Sequence, residues 1–521
     1  MKRYQKANEG VHAPEEVKAQ AARLAGRRGY ARRMGAVAAL LAVVILGGVA
    51  LWPGRPNVTD PISLNDPRGL GPLLTPGPTP ISTARATTLA AAVYPETAPY
   101  PKEEDYLSPL TGDFDFDKYN ADLSAWRSSR ATLSSGTDYA GQLDGFLSAS
   151  TVQFLTNAGE KNRVYSPLNV YLALSMLAET TGGNSRQQLL DLLGADSVED
   201  LRTVANALWR DNYRDDGMVT SLLANSLWLR DGMTYSQDVL DTLAADYYAS
   251  SFSGEMGAEE YDQALRNWLN EQTGGLLREQ AGGLSMNPDT VLALASTVYF
   301  KAAWAEAFIP DRTERDTFHT PTGDVETNFM HSGHSQTYYW GEHFTAVSLS
   351  FQDGGAMWLI LPDEGYAVDD LLATGEAMDF LLAQKSAIYN EETDTVEVGW
   401  KDQKYLIVHL ALPKFDVSSD LDLIGGLKAL GVTDVFDASV SNFDPLEASA
   451  AEALFVSQVQ HAARVKVDEE GCEAAAYTYI GMPTSGMPPA DEVDFILDRP
   501  FLFAITGDSG LPLFVGTVNQ P

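Results

Sequence analysis

Proline is distributed very unevenly along this chain, and its distribution divides the sequence into regions that fold by different rules. Twelve of the 26 prolines lie between Pro53 and Pro109, mixed with Thr, Gly and Ala. Proline has a fixed φ and no backbone N–H, so this region favours an extended linker over helix or sheet. Its more apolar part, Leu89–Tyr100, is the part suited to packing on a folded domain. A globular pattern begins near residue 112.

The region before the prolines predicts a membrane anchor. Residues 35–52 are uncharged and mostly apolar, and as a helix they rise about 27 Å, close to the thickness of a bilayer core. The preceding arginines place the N-terminus in the cytoplasm: Arg27, Arg28, Arg32 and Arg33. A cleavable signal peptide is the alternative, but the polar lead is long and no clear cleavage site follows. The sequence thus predicts a single-pass protein of the cell membrane.

These regions give four predicted domains. They are a basic cytoplasmic segment (1–34), a transmembrane helix (35–52), a Pro/Thr-rich linker (53–111) and a folded extracellular domain (112–521). No internal repeat is evident in the folded part.

Charge and cysteine content exclude several functions. The chain carries a net charge of −35, although residues 1–34 hold nine basic and only three acidic side chains. The acidic folded part repels phosphate and sulfate groups, so neither nucleic acid nor heparin is an expected partner. The single cysteine, Cys472, excludes an intramolecular disulfide and a multi-cysteine zinc site. We expect no metal and no organic cofactor.

Helical patterns come early in the folded part and strand patterns come late. Apolar spacing predicts helices at 169–179 and 185–193. Runs rich in β-branched and aromatic residues predict strands at 291–300, 356–361, 405–412 and 454–467. This order indicates an α+β fold rather than a doubly wound sheet.

Two short motifs raise the possibility of an enzyme or a metal site. Gly507-Asp-Ser509-Gly510 resembles the nucleophile segment of chymotrypsin-like proteases, but it joins two apolar runs and therefore predicts a hairpin turn. A triad also needs a buried histidine held by a carboxylate, and none is evident. His331, His334 and His343 have no helical spacing that would gather their rings on one face, so they are interpreted as surface histidines.

The most informative segment lies between Val467 and Pro489. Its length is unusual for a loop in a compact domain and indicates function or disorder. If its first half became a β-strand, one face would carry only small, uncharged side chains: Cys472, Ala474, Ala476 and Thr478. The other face would carry Glu469, Gly471, Glu473, Ala475 and Tyr477. Such a loop can enter a sheet with its small face on a core.

Residues 135–521 resemble the serpin family of serine protease inhibitors. The hinge segment Glu469–Ala476 and the C-terminal segments 498–503 and 513–516 carry the likeness most clearly. Five other segments follow in family order: Asn162-Arg-Val-Tyr-Ser-Pro-Leu-Asn169, Ala224-Asn-Ser-Leu-Trp228, Asn267-Trp-Leu-Asn270, Val298-Tyr-Phe-Lys-Ala-Ala-Trp304 and Leu412-Pro-Lys-Phe415. Many weak motifs in one order make a specific match.

The resemblance implies a serpin fold with three β-sheets, about nine helices and an exposed reactive-centre loop. In that family the target protease attacks the loop and forms an acyl-enzyme. The cleaved loop then inserts into the main sheet as a new strand and distorts the protease before the ester is hydrolysed. The expected partners are serine proteases, and the expected state is a monomer.

The resemblance also assigns the loop residues. The hinge comprises Glu469, Glu470, Gly471, Cys472, Glu473, Ala474, Ala475 and Ala476. Family spacing places the cleaved bond 14 residues after Gly471, at Ser485-Gly486, and Pro488-Pro489 just beyond it agrees. Met482, Thr484 and Met487 are alternative sites. A small residue before the cleaved bond suits elastase-like or subtilisin-like proteases.

A second set of residues is expected to control opening of the sheet. Ser166, His461 and Trp304 match the family pattern, whereas Asn169 and Ser296 stand where serine and asparagine are usual. This exchange suggests a compensated swap. Cys472 replaces the usual hinge threonine and is small enough to insert. Tyr477 replaces a usual small residue, but on the outward face.

The sequence therefore predicts a membrane-anchored, outward-facing suicide inhibitor of serine proteases at a bacterial cell surface. A serpin-fold surface protein that binds without inhibiting is the alternative, and a hydrolase using Ser509 is a remote third. The absence of proline from Glu469 to Met482 favours inhibition, because proline cannot join a sheet ladder.

Overall fold

The structure is a computed structural model that describes residues 86–108, 112–384, 388–390, 395–397, 399–447, 454–472 and 491–521. These residues fall into two compact units. Among the described residues, the smaller unit contains Pro101–Ala125, and the larger contains residues 86–100 together with Trp126–Pro521. In the smaller unit, Leu107 forms a β-bridge with Phe114, and the Tyr106 hydroxyl donates to Asp122 Oδ2 at 2.7 Å.

Eleven α-helices lie in the described residues. They are α1 (Phe116–Leu133), α2 (Ala140–Leu155), α3 (Pro167–Thr180), α4 (Gly183–Leu193), α5 (Val198–Asn212), α6 (Gln237–Asp246), α7 (Glu259–Gln272), α8 (Arg278–Ala281), α9 (Val368–Ala373), α10 (Glu376–Ala383) and α11 (Ile424–Ala429). Helix α3 begins with Pro167, whose missing N–H is not needed in a first turn. Gly194 caps the C-terminus of helix α4 and takes the left-handed conformation with φ of 69°.

Three sheets are formed by the strands that the structure describes. These are β1 (Thr87–Ala90), β2 (Arg163–Tyr165), β3 (Arg214–Asp215), β4 (Val219–Arg230), β5 (Ala249–Gly254), β6 (Leu292–Ala303), β7 (Thr313–Thr320), β8 (Gly323–Trp340), β9 (Phe344–Ser350), β10 (Ala356–Pro362), β11 (Ile388–Asn390), β12 (Thr395–Glu397), β13 (Gln403–Pro413), β14 (Phe415–Asp422), β15 (Gln460–Val467), β16 (Gly471–Cys472), β17 (Glu492–Ile496), β18 (Phe501–Thr506) and β19 (Pro512–Val518).

The main sheet has eight strands in the order β1-β5-β4-β6-β16-β15-β14, with β3 on β4. The second has nine strands in the order β17-β13-β8-β9-β10-β18-β19-β2, with β7 on β8, and β11 pairs with β12 in the third. Together with the helices, these sheets confirm the predicted α+β class. The predicted strand at 454–467 begins only at Gln460.

The centre of the main sheet is held by its shortest strand. Strands β6 and β15 are both long, but β16, which lies between them, contains only Gly471 and Cys472. In the described part of the chain, no ladder joins β6 directly to β15. Within the residues that the structure describes, two residues therefore join β6 to β15 at one end of the sheet.

The two faces of the main sheet pack against different layers. On one face Val298, Phe300 and Val465 join the large hydrophobic core, which also contains α3. On the other face α7 packs through Leu265 and Trp268 into a smaller apolar cluster. Because side chains alternate along a strand, consecutive residues of β6 face these two layers in turn.

The stretch from Thr87 to Tyr100, placed in the predicted linker, packs on the larger unit. Thr87–Ala90 pairs antiparallel with β5, and the Ala92 N–H donates to Ser250 Oγ at 3.1 Å. The Tyr94 ring lies 5.2 Å from the ring of Trp209. The rest of the predicted linker up to residue 85, like the basic segment and the apolar run 35–52, lies outside the described residues, so the four-part division stays a prediction.

Candidate functional site

Two residues of the predicted hinge, Gly471 and Cys472, lie between β6 and β15. Gly471 and Cys472 pair antiparallel with Ala303 and Ala302 of β6, and Cys472 also pairs with Val467 of β15. A Cβ atom at position 471 would lie 2.3 Å from the carbonyl oxygen of Ala302, so only glycine permits this close approach of the two backbones. The Cys472 side chain is buried. The first residues of the hinge are thus already part of the sheet.

Trp304 holds the turn that leads into the hinge. Its indole N–H donates to the carbonyl oxygen of Asp468 at 2.9 Å, and its backbone N–H donates to that of Glu470 at 3.0 Å. The indole is fully buried and stacks on Phe351 at a centroid distance of 5.0 Å. This tryptophan, predicted at the top of the sheet, fixes the backbone on both sides of Glu469.

Glu469 connects the hinge to the neighbouring sheet. Its carboxylate accepts from Lys414 Nζ at 2.6 Å and from the Thr313 hydroxyl at 2.9 Å. Burial opposes ionisation of Glu469, but the hydrogen bonds from Lys414 and Thr313 outweigh it and hold the pKa of this carboxyl below its usual range. An ionised Glu469 therefore links the hinge to Lys414 between β13 and β14 and to β7.

A buried polar cluster lies lower in the gap, where β6 and β15 are not joined. His461 on β15 accepts from the Ser166 N–H at 3.0 Å through Nε2. The Ser296 hydroxyl on β6 contacts the side-chain oxygen of Asn169 and lies 2.6 Å from that of Asn225. Since one hydroxyl proton serves only one acceptor at a time, Asn169 and Asn225 compete for it.

The cluster divides into two contacts, one from each edge of the gap. His461 joins β15 to the start of α3 at Ser166, and Ser296 joins β6 to the same helix at Asn169. Asn169 and Ser296, whose identities are exchanged relative to the family pattern, are in direct contact. The arrangement can hold both strands against α3, and moving the strands apart would strain it.

His461 is neutral in this environment. The imidazole is buried, and burial lowers its pKa from 6.5 to about 4. The Tyr165 ring packs against it at a centroid distance of 5.3 Å. Because Nε2 accepts the Ser166 N–H, protonation of that nitrogen would replace a hydrogen bond with two facing donors.

The remaining predicted loop residues cannot be placed. Glu473, Ala474, Ala475 and Ala476 of the hinge, and the predicted cleaved bond Ser485-Gly486, lie outside the described residues. The chain is described again from Asp491, which precedes β17.

Sequence reasoning missed three residues of the site: Asn225, Thr313 and Lys414. Asn225 and Lys414 lie within motifs that carried the family resemblance, so their positions were visible. Their partners could not be read from the sequence, because Asn225 contacts Ser296, 71 positions away, and Lys414 contacts Glu469, 55 positions away.

The structure does not assemble either alternative site. Ser509 lies in the turn between the paired strands β18 and β19, as predicted, and its hydroxyl donates to Asn212 Oδ1 at 2.7 Å rather than to a histidine. His334 faces Glu306 at 2.9 Å, and His343 faces Glu376 at 3.2 Å. Within the described ranges, no three His, Cys, Asp or Glu residues are grouped closely enough to hold a metal ion.

Comparison with known proteins agrees with this architecture. A sequence profile of the family described as Serpin (serine protease inhibitor) matches residues 146–521. Serpin-Z2B of Triticum aestivum is 28% identical over 75% of this chain and 97% of its own length. Serpin-ZXA of Oryza sativa subsp. japonica is 30% identical over 75% of this chain and 98% of its own.

A solved structure agrees as well. The thermophilic serpin tengpin in its native state is 26% identical, covers 74% of this chain and 94% of its own, and superposes with a TM-score of 0.64. The order of strands and helices in the described residues is that of the serpin fold. The chain belongs to the serpin family, which is described as a family of serine protease inhibitors, and the predicted serpin fold is confirmed.

The predicted location is contradicted. The two sequence relatives named above, Serpin-Z2B and Serpin-ZXA, are plant serpins rather than bacterial surface proteins. In the part of the chain that the structure describes, no helix combines the length and apolar character needed to cross a bilayer. The prediction relied on residues 35–52, whose apolar length alone was taken to indicate a membrane helix, and these residues lie outside the described ranges.

We predict that reversing the charge of Glu469 loosens the top of the gap. Glu469→Lys places two ammonium groups at the position of one ion pair, and we expect it to lower the free energy of unfolding by about 2 kcal/mol. The double variant Glu469→Lys/Lys414→Glu restores opposite charges and should recover most of this loss. Urea unfolding of the three proteins measures the effect, and a double variant as unstable as the single one would contradict the assigned ion pair.

The buried imidazole predicts a specific dependence on pH. Unfolded chains take up a proton at His461 below pH 6.5, whereas the folded protein does so only near pH 4. The free energy of unfolding should therefore fall by about 3 kcal/mol as the pH is lowered from 6.5 to 4. His461→Gln keeps a hydrogen-bond acceptor but does not titrate, so this component should disappear from its urea unfolding profile. Identical pH profiles for the two proteins would refute the assignment.

Proposed function

We propose that this protein is a suicide inhibitor of serine proteases that traps the acyl-enzyme by inserting its cleaved loop between β6 and β15. The observation that carries the proposal is the hinge itself. Gly471 and Cys472 are paired with β6, and Cys472 also with β15, so this short strand separates β6 from β15. The chain that follows can complete the strand without any change of register.

Continuing the observed register supports this proposal on the core side of the sheet. Ala474 would lie between Phe300 and Val465, and Ala476 between Val298 and Ala463. All four neighbours are buried in the large core, so the incoming side chains must be small and uncharged. Alanine meets both requirements.

The same register brings the third inward residue to the polar cluster. Thr478 would lie between Ser296 and His461, the residues that hold the two strand edges against α3. Its hydroxyl can both donate and accept a hydrogen bond. We therefore propose that Ser166, Asn169, Ser296 and His461 control opening of the sheet, as the family resemblance suggests, and that Thr478 joins them after insertion.

On the opposite face, the same register brings together side chains of opposite charge and of complementary size. Glu473 would lie between Lys301 on β6 and Lys466 on β15, and cross-strand pairs of opposite charge stabilise a sheet. The large side chain of Tyr477 would lie beside Ala462, a small one. The unusual tyrosine is thus compatible with insertion.

The chemistry of cleavage belongs to the protease. Its serine oxygen attacks the carbonyl carbon of Ser485, the bond to the Gly486 nitrogen breaks, and the amine leaves with the proton while the ester remains on the enzyme. Water can hydrolyse this ester, so trapping requires insertion to be faster than hydrolysis. We propose elastase-like or subtilisin-like targets because Ser485 is small, and a monomeric inhibitor because one chain supplies both loop and sheet.

The direct test mixes the full chain with an elastase-like and a subtilisin-like protease. We expect a covalent complex that survives denaturing gel electrophoresis, together with release of the 36-residue fragment Gly486–Pro521. Cleavage at this bond without a complex would mean that the protein has the fold without the inhibitory function. A complex with a different fragment would move the reactive bond to Met482, Thr484 or Met487.

We predict that insertion distinguishes adjacent alanines of the hinge. Ala474→Glu buries an unpaired carboxylate between Phe300 and Val465, so the variant should be cleaved as a substrate, with at least tenfold more inhibitor consumed per protease trapped. Ala475→Glu adds the same group on the opposite face between Tyr299 and Arg464, where the guanidinium can pair with it, and should trap nearly as well as the parent protein. Titration of protease activity measures both, and equal behaviour of the two variants would contradict the register.

A further inference from the structure

A cavity of about 60 Å³ lies between the main sheet and the layer of helices formed by α7 and α8. Leu265 and Leu269 of α7 and Ala281 of α8 give it an apolar wall, and all three belong to the smaller apolar cluster of the fold. A group of the size of water takes up about 10–15 Å³ of a cavity, so about four to six such groups fit here.

The Thr297 hydroxyl is a buried polar group of this cavity. The residue is 1% exposed, and among the described residues Oγ1 has no hydrogen-bond partner. Because side chains alternate along β6, and Ser296 faces α3 through its contact with Asn169, Thr297 faces the opposite side, toward the cavity. An unsatisfied buried hydroxyl costs free energy, and a ligand that hydrogen-bonds to it recovers that cost.

Asp420 of β14 brings a negative charge to the rim of the cavity. It pairs in the sheet with Ala462 of β15, and both residues line the cavity. In the described part of the chain no cation meets this carboxylate, and partial burial raises its pKa. Asp416, on the same face of the same strand, is instead held by Arg464 through hydrogen bonds of 2.8 and 2.7 Å. Asp420 is therefore available to a cation from outside the protein.

We propose that this cavity binds a small linear amino alcohol, with an ammonium group at one end, a short aliphatic stem and a hydroxyl at the other end. The ammonium group pairs with Asp420, the stem packs on Leu265 and Leu269, and the hydroxyl bonds to Thr297 Oγ1. The inner end must be neutral, because a second charge among these apolar side chains would have no counter-charge. The proposal goes beyond inhibition, and its test needs no protease.

The test titrates the full chain with 4-aminobutan-1-ol, whose four methylenes and hydroxyl match the volume of the cavity, and follows binding by ligand-observed NMR. Butylamine lacks the hydroxyl and butan-1-ol lacks the ammonium group, so each serves as a matched control ligand. We expect millimolar affinity for the amino alcohol, as for other ligands of this size. Butylamine should bind about fivefold more weakly, the effect of one hydrogen bond, and butan-1-ol about threefold more weakly, the effect of an ion pair at the surface.

Two variants assign each end of the ligand to its residue. Thr297→Val keeps the shape of the side chain and should weaken binding of the amino alcohol about fivefold without changing that of butylamine. Asp420→Asn should weaken binding of both amines about threefold without changing that of butan-1-ol. Asp416→Asn, the control on the same face of β14, should change none of the three affinities.

Folding and location are tested with the same proteins. Thr297→Val should unfold at a higher urea concentration than the parent, because it removes an unsatisfied buried hydroxyl, so weaker binding by this variant would not reflect unfolding. Ala462→Leu fills the cavity and should abolish binding of all three ligands. The absence of saturable binding of 4-aminobutan-1-ol to the parent would overturn the inference. Binding that is unchanged by Thr297→Val, Asp420→Asn and Ala462→Leu would overturn it as well.

Discussion

The described structure depends on a strand of only two residues, Gly471–Cys472, in the middle of its main sheet. Strands β6 and β15 are joined in the described residues only through Gly471 and Cys472. A sheet gains stability from ladder hydrogen bonds and from side chains packed on both faces. A gap at its centre leaves part of that stabilisation unrealised, and the chain that can supply it follows directly after Cys472. The proposed inhibition uses this difference in free energy.

Three sets of contacts surround the short strand β16 and the two strands that flank it. At the top, Trp304 and the ion pair between Glu469 and Lys414 fix the hinge. In the middle, His461 and Ser296 hold the strand edges against α3. On the outer face, Arg464 ties the overlying helices to β15. In the proposed mechanism, an inserting strand would meet these contacts in sequence.

The sequence allowed prediction of the elements whose patterns are local. The helix at 169–179, the strand at 405–412 and the turn at Ser509 follow from apolar spacing and turn residues, and the structure contains all three. The contacts of Asn225, Thr313, Lys414 and Arg464 could not be predicted from local patterns. Each joins residues far apart in the chain, so only the strand order brings them together. The predicted membrane location, which is contradicted, was likewise inferred from a local pattern, the apolar length of residues 35–52.

Hydrogen exchange at the amides of β6 and β15, before and after cleavage of the loop by a protease, tests the central claim most directly. If the cleaved loop becomes a full strand, alternate amides within Ala293–Tyr299 and Ala462–Lys466 should exchange much more slowly after cleavage, because the N–H groups that do not face β4 or β14 gain ladder partners. Unchanged exchange in both strands after complete cleavage would contradict the account, since the gap would then remain unfilled.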